Sequence, residues 1–332
     1  MSALADESAF LSELSELAAQ GRYRQLLERL TELPPGAIAE RSPLALLATE
    51  AHGRLGEHDA AARCAALALD LARARLDPST ELRAVHFQGA IAWQRGAVEE
   101  AEAHFRHALE LARRLDDVAA QARAFNNIGI LEHLRIEPQA ALASYQLALA
   151  AYQQAGNPRG LAETHHNMAI SWRALGNTTR ARDATDEAVR LARRVGDATL
   201  LGLTLCGRAE VHLETGDAAF ADAELDRAAE AYERVRFSAG LPEIHRVRAG
   251  VARSRGDLPA AVRLLQQAAS LARAHAPLHT QAEVERDLGD VLAAAGDRAG
   301  ARAALLRAQA LFRRLGARHA EQELTSRLTS TD

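Results

Sequence analysis

Residues Asp117–Gly156 read DVAAQARAFNNIGILEHLRIEPQAALASYQLALAAYQQAG, a segment with a short break at Ile136, Glu137 and Pro138. On both sides of the break, apolar and small residues recur every three or four positions, which is the period of an amphipathic α-helix. The segment therefore predicts a helix, a turn and an antiparallel helix. Such a pair is too amphipathic to be stable alone and needs neighbours that bury its apolar faces.

The same pattern recurs along the chain at an interval of 40 residues. The turn positions are Gly56, Gly96, Ile136, Gly176, Gly216, Gly256 and Gly296. Alanine stands five and twelve residues after the turn position in all seven units, and a small residue stands seven before it in six of them. Small residues at fixed places let helix backbones approach closely, so we expect the helices to interlock within each unit and with the next unit.

Two units combine a small residue in the first helix with Ala-x-x-x-aromatic in the second, namely Gly89 with Ala101 and Phe105, and Gly129 with Ala141 and Tyr145. This pattern resembles the tetratricopeptide repeat, in the bacterial type whose period of 40 exceeds the usual length of about 34 residues. The resemblance implies an all-α fold, a right-handed α-solenoid of antiparallel helix pairs. HEAT and armadillo repeats share the longer period, but they do not explain the small-residue columns.

Three regions are predicted: an atypical N-terminal capping helix pair in residues 1–36, seven units of about 40 residues in 37–316, and a C-terminal capping helix and tail in 317–332. The first pair has Leu26 and Leu33 where later units have alanine. Its first helix is expected to end near Gly21, and Pro34 and Pro35 end the second. Terminal repeats commonly depart from the pattern because they cover exposed apolar faces.

Composition limits the classes of partner and compartment. The chain has 40 basic residues, all of them arginine, against 44 acidic residues, and its net charge of -4 disfavours a general nucleic-acid binder. Its N-terminal segment is acidic where a secretory signal is basic, and no apolar run is long enough to span a bilayer. Cys64 and Cys206 are too few for a disulfide framework or a metal quartet. We expect a cytoplasmic protein with no membrane partner and no cofactor.

Catalytic and metal-binding motifs are missing from the sequence, which has no Walker loop, dinucleotide fingerprint, H-E-x-x-H, C-x-x-C or G-x-S-x-G. His104 and His107 lie three apart on one helix but lack a further zinc ligand at a suitable spacing. The arginine pairs that recur near the ends of second helices could form a basic ridge, but bonds to exposed carbonyls and a favourable interaction with the helix dipole are the preferred explanation. The sequence therefore predicts that the protein is not an enzyme.

The resemblance further implies a concave groove lined by the first helix of each unit, with the residues nine and ten positions before the turn facing it. In this chain the column ten before the turn reads His86, Asn126, His166, Cys206, Arg246 and Arg286, and the column nine before it reads Phe87, Asn127, Asn167, Gly207, Val247 and Asp287. Flanking columns add arginines. The predicted ligand-binding residues are Arg83, His86, Arg123, Asn126, Asn127, His166, Asn167 and Arg173.

Asn127 and Asn167 stand at equivalent places in consecutive units. An asparagine amide both accepts and donates, so a row of asparagines could hold the backbone of an extended peptide without reading its side chains. The alternative is that both amides bond a neighbouring helix or solvent. Glu163 and Asn167 stand where the two-carboxylate clamp of chaperone-tail receptors has basic residues, so this chain departs from that pattern.

Charges along the predicted groove differ between the middle and later units. The middle is basic because it contains Arg83, Arg123 and Arg173, whereas the later units contain Glu210, Glu214, Glu243, Glu283, Asp287 and Asp290. A ligand with an acidic portion toward the middle units would be complementary.

These features predict a non-enzymatic scaffold or adaptor that binds an extended peptide segment of a protein partner. The alternative is a peptide- or partner-sensing regulator that acts through a change in superhelical curvature. Because Met1 leads directly into the first helix pair, we expect the effector of such a regulator to be a separate chain.

Overall fold

The computed structural model describes residues 2–19, 22–34, 36–135 and 137–329, and all regular elements among them are helical. Three positions named in the sequence analysis lie outside the described residues, namely Gly21, Pro35 and Ile136. The helices are α1 Ser2–Ala19, α2 Tyr23–Thr31, α3 Ala37–Glu40, α4 Ser42–Arg54, α5 His58–Ala74, α6 Pro78–Arg95, α7 Val98–Arg114, α8 Val118–Leu134, α9 Pro138–Gln154, α10 Pro158–Ala174, α11 Thr178–Val195, α12 Ala198–Glu214, α13 Ala218–Arg234, α14 Leu241–Ser254, α15 Leu258–His275, α16 Leu278–Ala294, α17 Arg298–Arg314 and α18 Arg318–Thr329.

Contacts divide the chain into two compact units, Met1–Ala124 and Phe125–Asp332, with the boundary inside α8. From α5 to α17 the helices have 17 or 18 residues, except α14 with 14. Most connections have two or three residues, which makes consecutive helices antiparallel. The predicted all-α fold of antiparallel helix pairs is confirmed. In each pair the even-numbered helix, from α4 to α16, is the first helix and the odd-numbered one is the second.

The two alanine columns are buried in all seven repeats, and the most exposed member, Ala301, is 4% accessible. Glycine in the first helix has a matching role. A Cβ atom added to Gly89 would lie 2.6 Å from the ring of Phe105, and one added to Gly129 would lie 2.6 Å from the ring of Tyr145. The small residues thus create the space into which the aromatic ring of the second helix packs, as their spacing predicts.

Left-handed residues end both helices of most pairs. The glycines at the described turn positions after first helices have φ between 70° and 87°. A second column follows the second helices, where Gly156, Gly196 and Gly316 also have positive φ, but Leu76, Asp116 and Arg236 adopt φ 53° without being glycine. Most L-residues are strained in this conformation, so these three positions cost stability.

Side-chain caps start many helices. Each of the following caps accepts a hydrogen bond from the backbone N–H three residues later: Asp77, Asp117, Asn157, Asn177, Asp197, Asp217, Asp257 and Asp297. Such caps satisfy the free donors of the first turn and contribute about 1 kcal/mol each.

Both ends of the described chain are helical and packed. In the first unit, α1 and α2 share a core with α4 that contains Leu14, Leu26 and Leu44. In the second unit, α18 packs on α17 and buries Leu324. The capping role of these helices stays a prediction. Two short elements were not predicted, namely α3 and a 3-10 turn at Ser238–Gly240.

Candidate functional site

The first helices of the second unit lie side by side, with α10 against α12, α12 against α14 and α14 against α16. Bonds between neighbouring helices join residues that are 41 positions apart in sequence, about one repeat. Arg173 of α10 bonds Glu214 of α12, and Arg246 of α14 bonds Asp287 of α16. These first helices are therefore parallel and in register, and their exposed sides form one continuous face.

A cleft of about 570 Å³ lies on this face. Its apolar lining includes Leu213, the buried residues Val247 and Val291, and Leu265 from α15. Its charged lining comprises Arg173, Glu210, Glu214, Arg246, Arg253, Arg286, Asp287 and Asp290. The cleft thus combines an apolar floor with charges of both signs, which suits a ligand that carries apolar and polar groups.

A ladder of ion pairs crosses the face and consists of Arg173, Glu210, Arg246, Asp287 and Arg286. Arg173 donates to Glu210 across 2.5 Å. Arg246 donates to Glu210 and, across 3.1 Å, to Asp287. Arg286 completes the ladder by donating to Asp287 across 3.1 Å. The ladder therefore connects four successive first helices by charge-assisted hydrogen bonds.

Burial and pairing act in opposite directions on the carboxylates around the ladder. Burial raises the pKa of Glu243 because it outweighs the attraction of Arg246. At Glu283 burial also opposes ionisation, but His279, Arg246 and further arginines lower its pKa to about 2. Arginines of the same face thus largely neutralise the acidic character that was predicted for the later units.

One arginine of the cleft differs from the others. Arg253 is exposed and, within the part of the chain that the structure describes, has no carboxylate within 4 Å. Its guanidinium can therefore bind a ligand acceptor without first breaking an ion pair.

Arg83, His86 and Arg123 lie in the first unit. Arg83 is exposed and Arg123 half-buried, and neither forms an ion pair with any described residue. The ring of His86 lies 5.7 Å from that of Phe105, measured between centroids. Burial, helped by the charge of Arg123, lowers the pKa of His86 to about 4, so this histidine is neutral at physiological pH.

The predicted asparagines have different surroundings. Asn126 is buried, and its Oδ1 atom accepts hydrogen bonds from Thr164 Oγ1 and Asn167 Nδ2, both across 3.1 Å. Asn167 therefore bonds a neighbouring helix, which was the alternative reading of its position. Asn127 is half-buried, and its amide forms no hydrogen bond with the residues that are described.

His166 is only 9% exposed and packs over Gly207, where an added Cβ would lie 2.7 Å from the histidine Nδ1 atom. Burial lowers its pKa to about 4, although Glu210 acts in the opposite direction. His166 is thus a neutral packing residue beneath the face rather than an exposed ligand contact.

Of the eight residues predicted to bind ligand, Arg173 lines the cleft. Arg246, Val247, Arg286 and Asp287 also line it and were not chosen. They stand in the two columns that were predicted to face the groove, so their position in the repeat was enough to predict them. The prediction instead favoured the middle units, because they contain asparagines at these positions.

Two further properties limit the chemistry of the face. No group of three or more His, Cys, Asp or Glu side chains within the described ranges is arranged to hold a metal ion. No described helix combines the length and the apolarity that crossing a bilayer requires.

Residues 80–154 match the family model described as Tetratricopeptide repeat, and no curated protein matches the chain. Among solved structures, the chain is similar to a Rap protein complexed with Competence and Sporulation Factor, with 14% identity, a TM-score of 0.63, and coverage of 98% of this chain and 97% of that one. It is also similar to NprR in complex with its cognate peptide NprX, with 16% identity, a TM-score of 0.58 and coverage of 89% and 84%.

A third similar structure is Aspartyl phosphate phosphatase F from Bacillus subtilis, with 13% identity, a TM-score of 0.54 and coverage of 98% of this chain and 91% of that one. At these identities the likeness shows a shared fold alone.

Proposed function

We propose that this tetratricopeptide repeat protein is a non-enzymatic interaction protein that binds an extended peptide segment of a cytoplasmic partner protein. The cleft on the first-helix face of the second unit carries the proposal, because it combines an apolar floor with charged walls from four successive helices. Parallel helices lie about 8–10 Å apart, which equals the length of about three extended residues. One segment can therefore contact several repeats in turn.

Two side chains on the first helices of the second unit are available to such a segment. The amide of Asn127 can bond a peptide N–H and C=O together, because no described residue occupies it. Arg253 can bind a backbone carbonyl or a carboxylate from the cleft. The Rap and NprR structures support a peptide ligand by analogy, since one is a complex with Competence and Sporulation Factor and the other a complex with the cognate peptide NprX.

The ladder favours a second candidate, a partner-sensing regulator. A ligand that bonds Arg173 or Asp287 competes with the ion pairs that join α10, α12, α14 and α16. Ligand binding would then alter the spacing of these helices, and the altered surface would act on a separate effector chain. A change in amide hydrogen exchange along α12 and α14 on ligand binding would separate this candidate from a passive scaffold.

Site-specific photo-crosslinking tests the proposed function. A photoreactive residue is placed at Arg253 in the cleft or, as a control, at Arg263, which is exposed on the second helix α15. After crosslinking in a lysate, mass spectrometry identifies the captured segment. We expect the residue at position 253 to capture one partner segment. The residue at position 263 should not capture that segment. Equal capture at both positions would contradict a binding site in the cleft.

The captured segment, made as a synthetic peptide, then tests Asn127. Asn127→Ala should weaken its binding roughly tenfold, the loss typical of one or two good hydrogen bonds. Asn126→Ala is the matched control, because it removes the acceptor of Thr164 and Asn167 and should lower stability by about 1–2 kcal/mol. Unchanged binding to Asn127→Ala would exclude this amide from the site.

A further inference from the structure

A set of exposed arginines lies where second helices of the second unit end and the following first helices begin. We call this set the basic edge, and it consists of Arg193, Arg194, Arg234, Arg236, Arg314 and Arg318. All six side chains are exposed, and within the described ranges none has a carboxylate within 4 Å. The chain as a whole has a net charge of -4, so this edge has the opposite sign to the protein.

These turns are neighbours in space because the first helices are parallel and in register. Arg159, at the start of α10, bonds Asp197, the cap of α12, and thus links two successive turns of the edge. Successive turns are therefore separated by about one helix-to-helix distance, about 8–10 Å. Four of the six arginines lie at two adjacent turns, α11–α12 and α13–α14, and Arg314 and Arg318 lie two turns further on, because the α15–α16 turn holds none of the six.

The helix dipole explains only part of the row. Arg193, Arg194 and Arg234 lie in the last turns of α11 and α13, where a positive charge is favourable. Arg318 is the first residue of α18, where the dipole disfavours a positive charge. Arg236 lies in a turn with φ 53°, at a position where three other repeats have glycine. Neither of these two arginines is favoured by the fold at its position.

Apolar side chains accompany the charges. Val235 is 49% exposed and Phe237 is 37% exposed, and both flank Arg236. The opposite edge of the same helices is different, because Asp217, Asp257 and Asp297 cap α13, α15 and α17 there. The basic edge thus combines unpaired positive charge with exposed apolar surface, whereas on the opposite edge the exposed Phe220 follows the cap Asp217 and Arg255 is paired with Asp222.

We infer that the basic edge is a second interaction surface, which binds an extended acidic segment of a protein partner. Acidic residues at about every third position would match the spacing of the turns, because an extended chain rises about 3.3 Å per residue. Apolar residues between them would contact Val235 and Phe237. The negative net charge of the chain disfavours long polyanions, which would approach the acidic remainder of the protein as well. The inference does not depend on a ligand in the cleft.

Fluorescence anisotropy with the full chain tests this surface. One labelled peptide has glutamate at every third position with valine and threonine between, and a second peptide of the same composition has its glutamates consecutive. The test variant is Arg236→Gly with Arg318→Gln, and the control is Arg263→Gln with Arg298→Gln, which removes the same charge from exposed positions outside the edge. Arg236→Gly is expected to relieve the positive-φ strain, and the melting temperature of the test variant shows whether lost binding comes from unfolding.

We expect the spaced peptide to bind more tightly than the consecutive one, and the test variant to weaken its binding roughly fivefold while the control leaves it unchanged. Binding should also weaken as salt is raised. Equal losses in the test and control variants, or no binding of the spaced peptide, would overturn the inference. So would tighter binding of a single-stranded oligonucleotide or of phosphatidylserine-containing vesicles, since either would assign the edge to another class of partner.

Discussion

His166 illustrates how a single residue links burial to pH dependence. Its folded-state pKa of about 4 lies below the ordinary value of 6.5 because burial disfavours the charged ring. Between these pH values the unfolded chain binds a proton that the folded chain does not bind. The stability that the neutral ring contributes is therefore present above about pH 6.5 and is lost as the pH falls toward 4.

We predict that His166→Gln reduces this acid sensitivity. The wild-type free energy of unfolding should fall on acidification from pH 7 to pH 4 by up to about 3 kcal/mol from this histidine alone. The variant should be less stable at pH 7 but should lose less on acidification, as measured by urea denaturation at several pH values. His319→Gln is the control, because that side chain is exposed in the folded state. Parallel curves for wild type and His166→Gln would show that the ring is not buried as described.

Asn126 and Asn127 show what a sequence leaves open at this scale. The repeat register placed both near the groove, yet one closes a hydrogen-bond network with Thr164 and Asn167 and the other has no partner among the residues described. Which amide faces inward depends on the rotation of α8 and on the hydroxyl that α10 presents. Neither quantity is encoded in the spacing of small residues.

At the scale of the helical element, the left-handed turns offer a direct comparison. Gly196 and Arg236 occupy equivalent positions after second helices, with φ 76° and 53°. No atom lies within 4 Å of a Cβ added to Gly196, so a substitution there changes backbone strain without a clash. The glycine fits the turn and the arginine does not.

We predict that Arg236→Gly raises the free energy of unfolding by about 0.5–1 kcal/mol, and that Gly196→Ala lowers it by about 1 kcal/mol. Thermal denaturation of both variants beside the wild type provides the measurement. A melting temperature that falls for Arg236→Gly would mean that the arginine side chain contributes more to the fold than its exposure indicates.

The elements themselves were largely predictable. The interval of 40 residues, the alanine columns and the glycine turn positions are local features, and they specified helix pairs that the structure contains. The turn at Asp116 was predicted, whereas Leu76 and Arg236 were not recognised as turn residues, because neither leucine nor arginine signals a positive φ in a sequence. The 3-10 turn before α14 was missed for a different reason, since a three-residue element has no periodicity.

At the scale of the whole molecule, the main uncertainty lay in how charges pair between repeats. The sequence showed acidic residues in the later units and arginines in the same columns, but not that Arg246 bonds carboxylates from three helices. The pairs of this ladder that cross between helices join residues 36 to 41 positions apart along the chain. Which charges pair depends on how far side chains reach across parallel helices. The net charge of a repeat is therefore a poor guide to the electrostatic potential at a ligand site.

The interfaces between neighbouring repeats contribute much of the stability of a repeat array. The ladder should therefore stabilise several helices rather than one. Arg246→Met removes the buried partner of Glu210, Glu243 and Asp287 while it preserves much of the side-chain volume. Partly buried carboxylates left without a partner are costly, and we predict a loss of about 2–3 kcal/mol in urea denaturation at pH 8, below the range for a fully buried pair. The loss should be smaller at pH 5, because the stranded carboxyl groups then take up protons.

Arg190→Met is the control for the ladder, because Arg190 forms an exposed ion pair with Glu187 on its own helix and its loss should change stability little. Adding Glu243→Gln to Arg246→Met should recover part of the loss, since it removes one stranded charge. If Arg246→Met and Arg190→Met were equally mild, the ladder would not hold the four helices together. A ligand acting on it could not then change their spacing, and the scaffold would be favoured over the regulator.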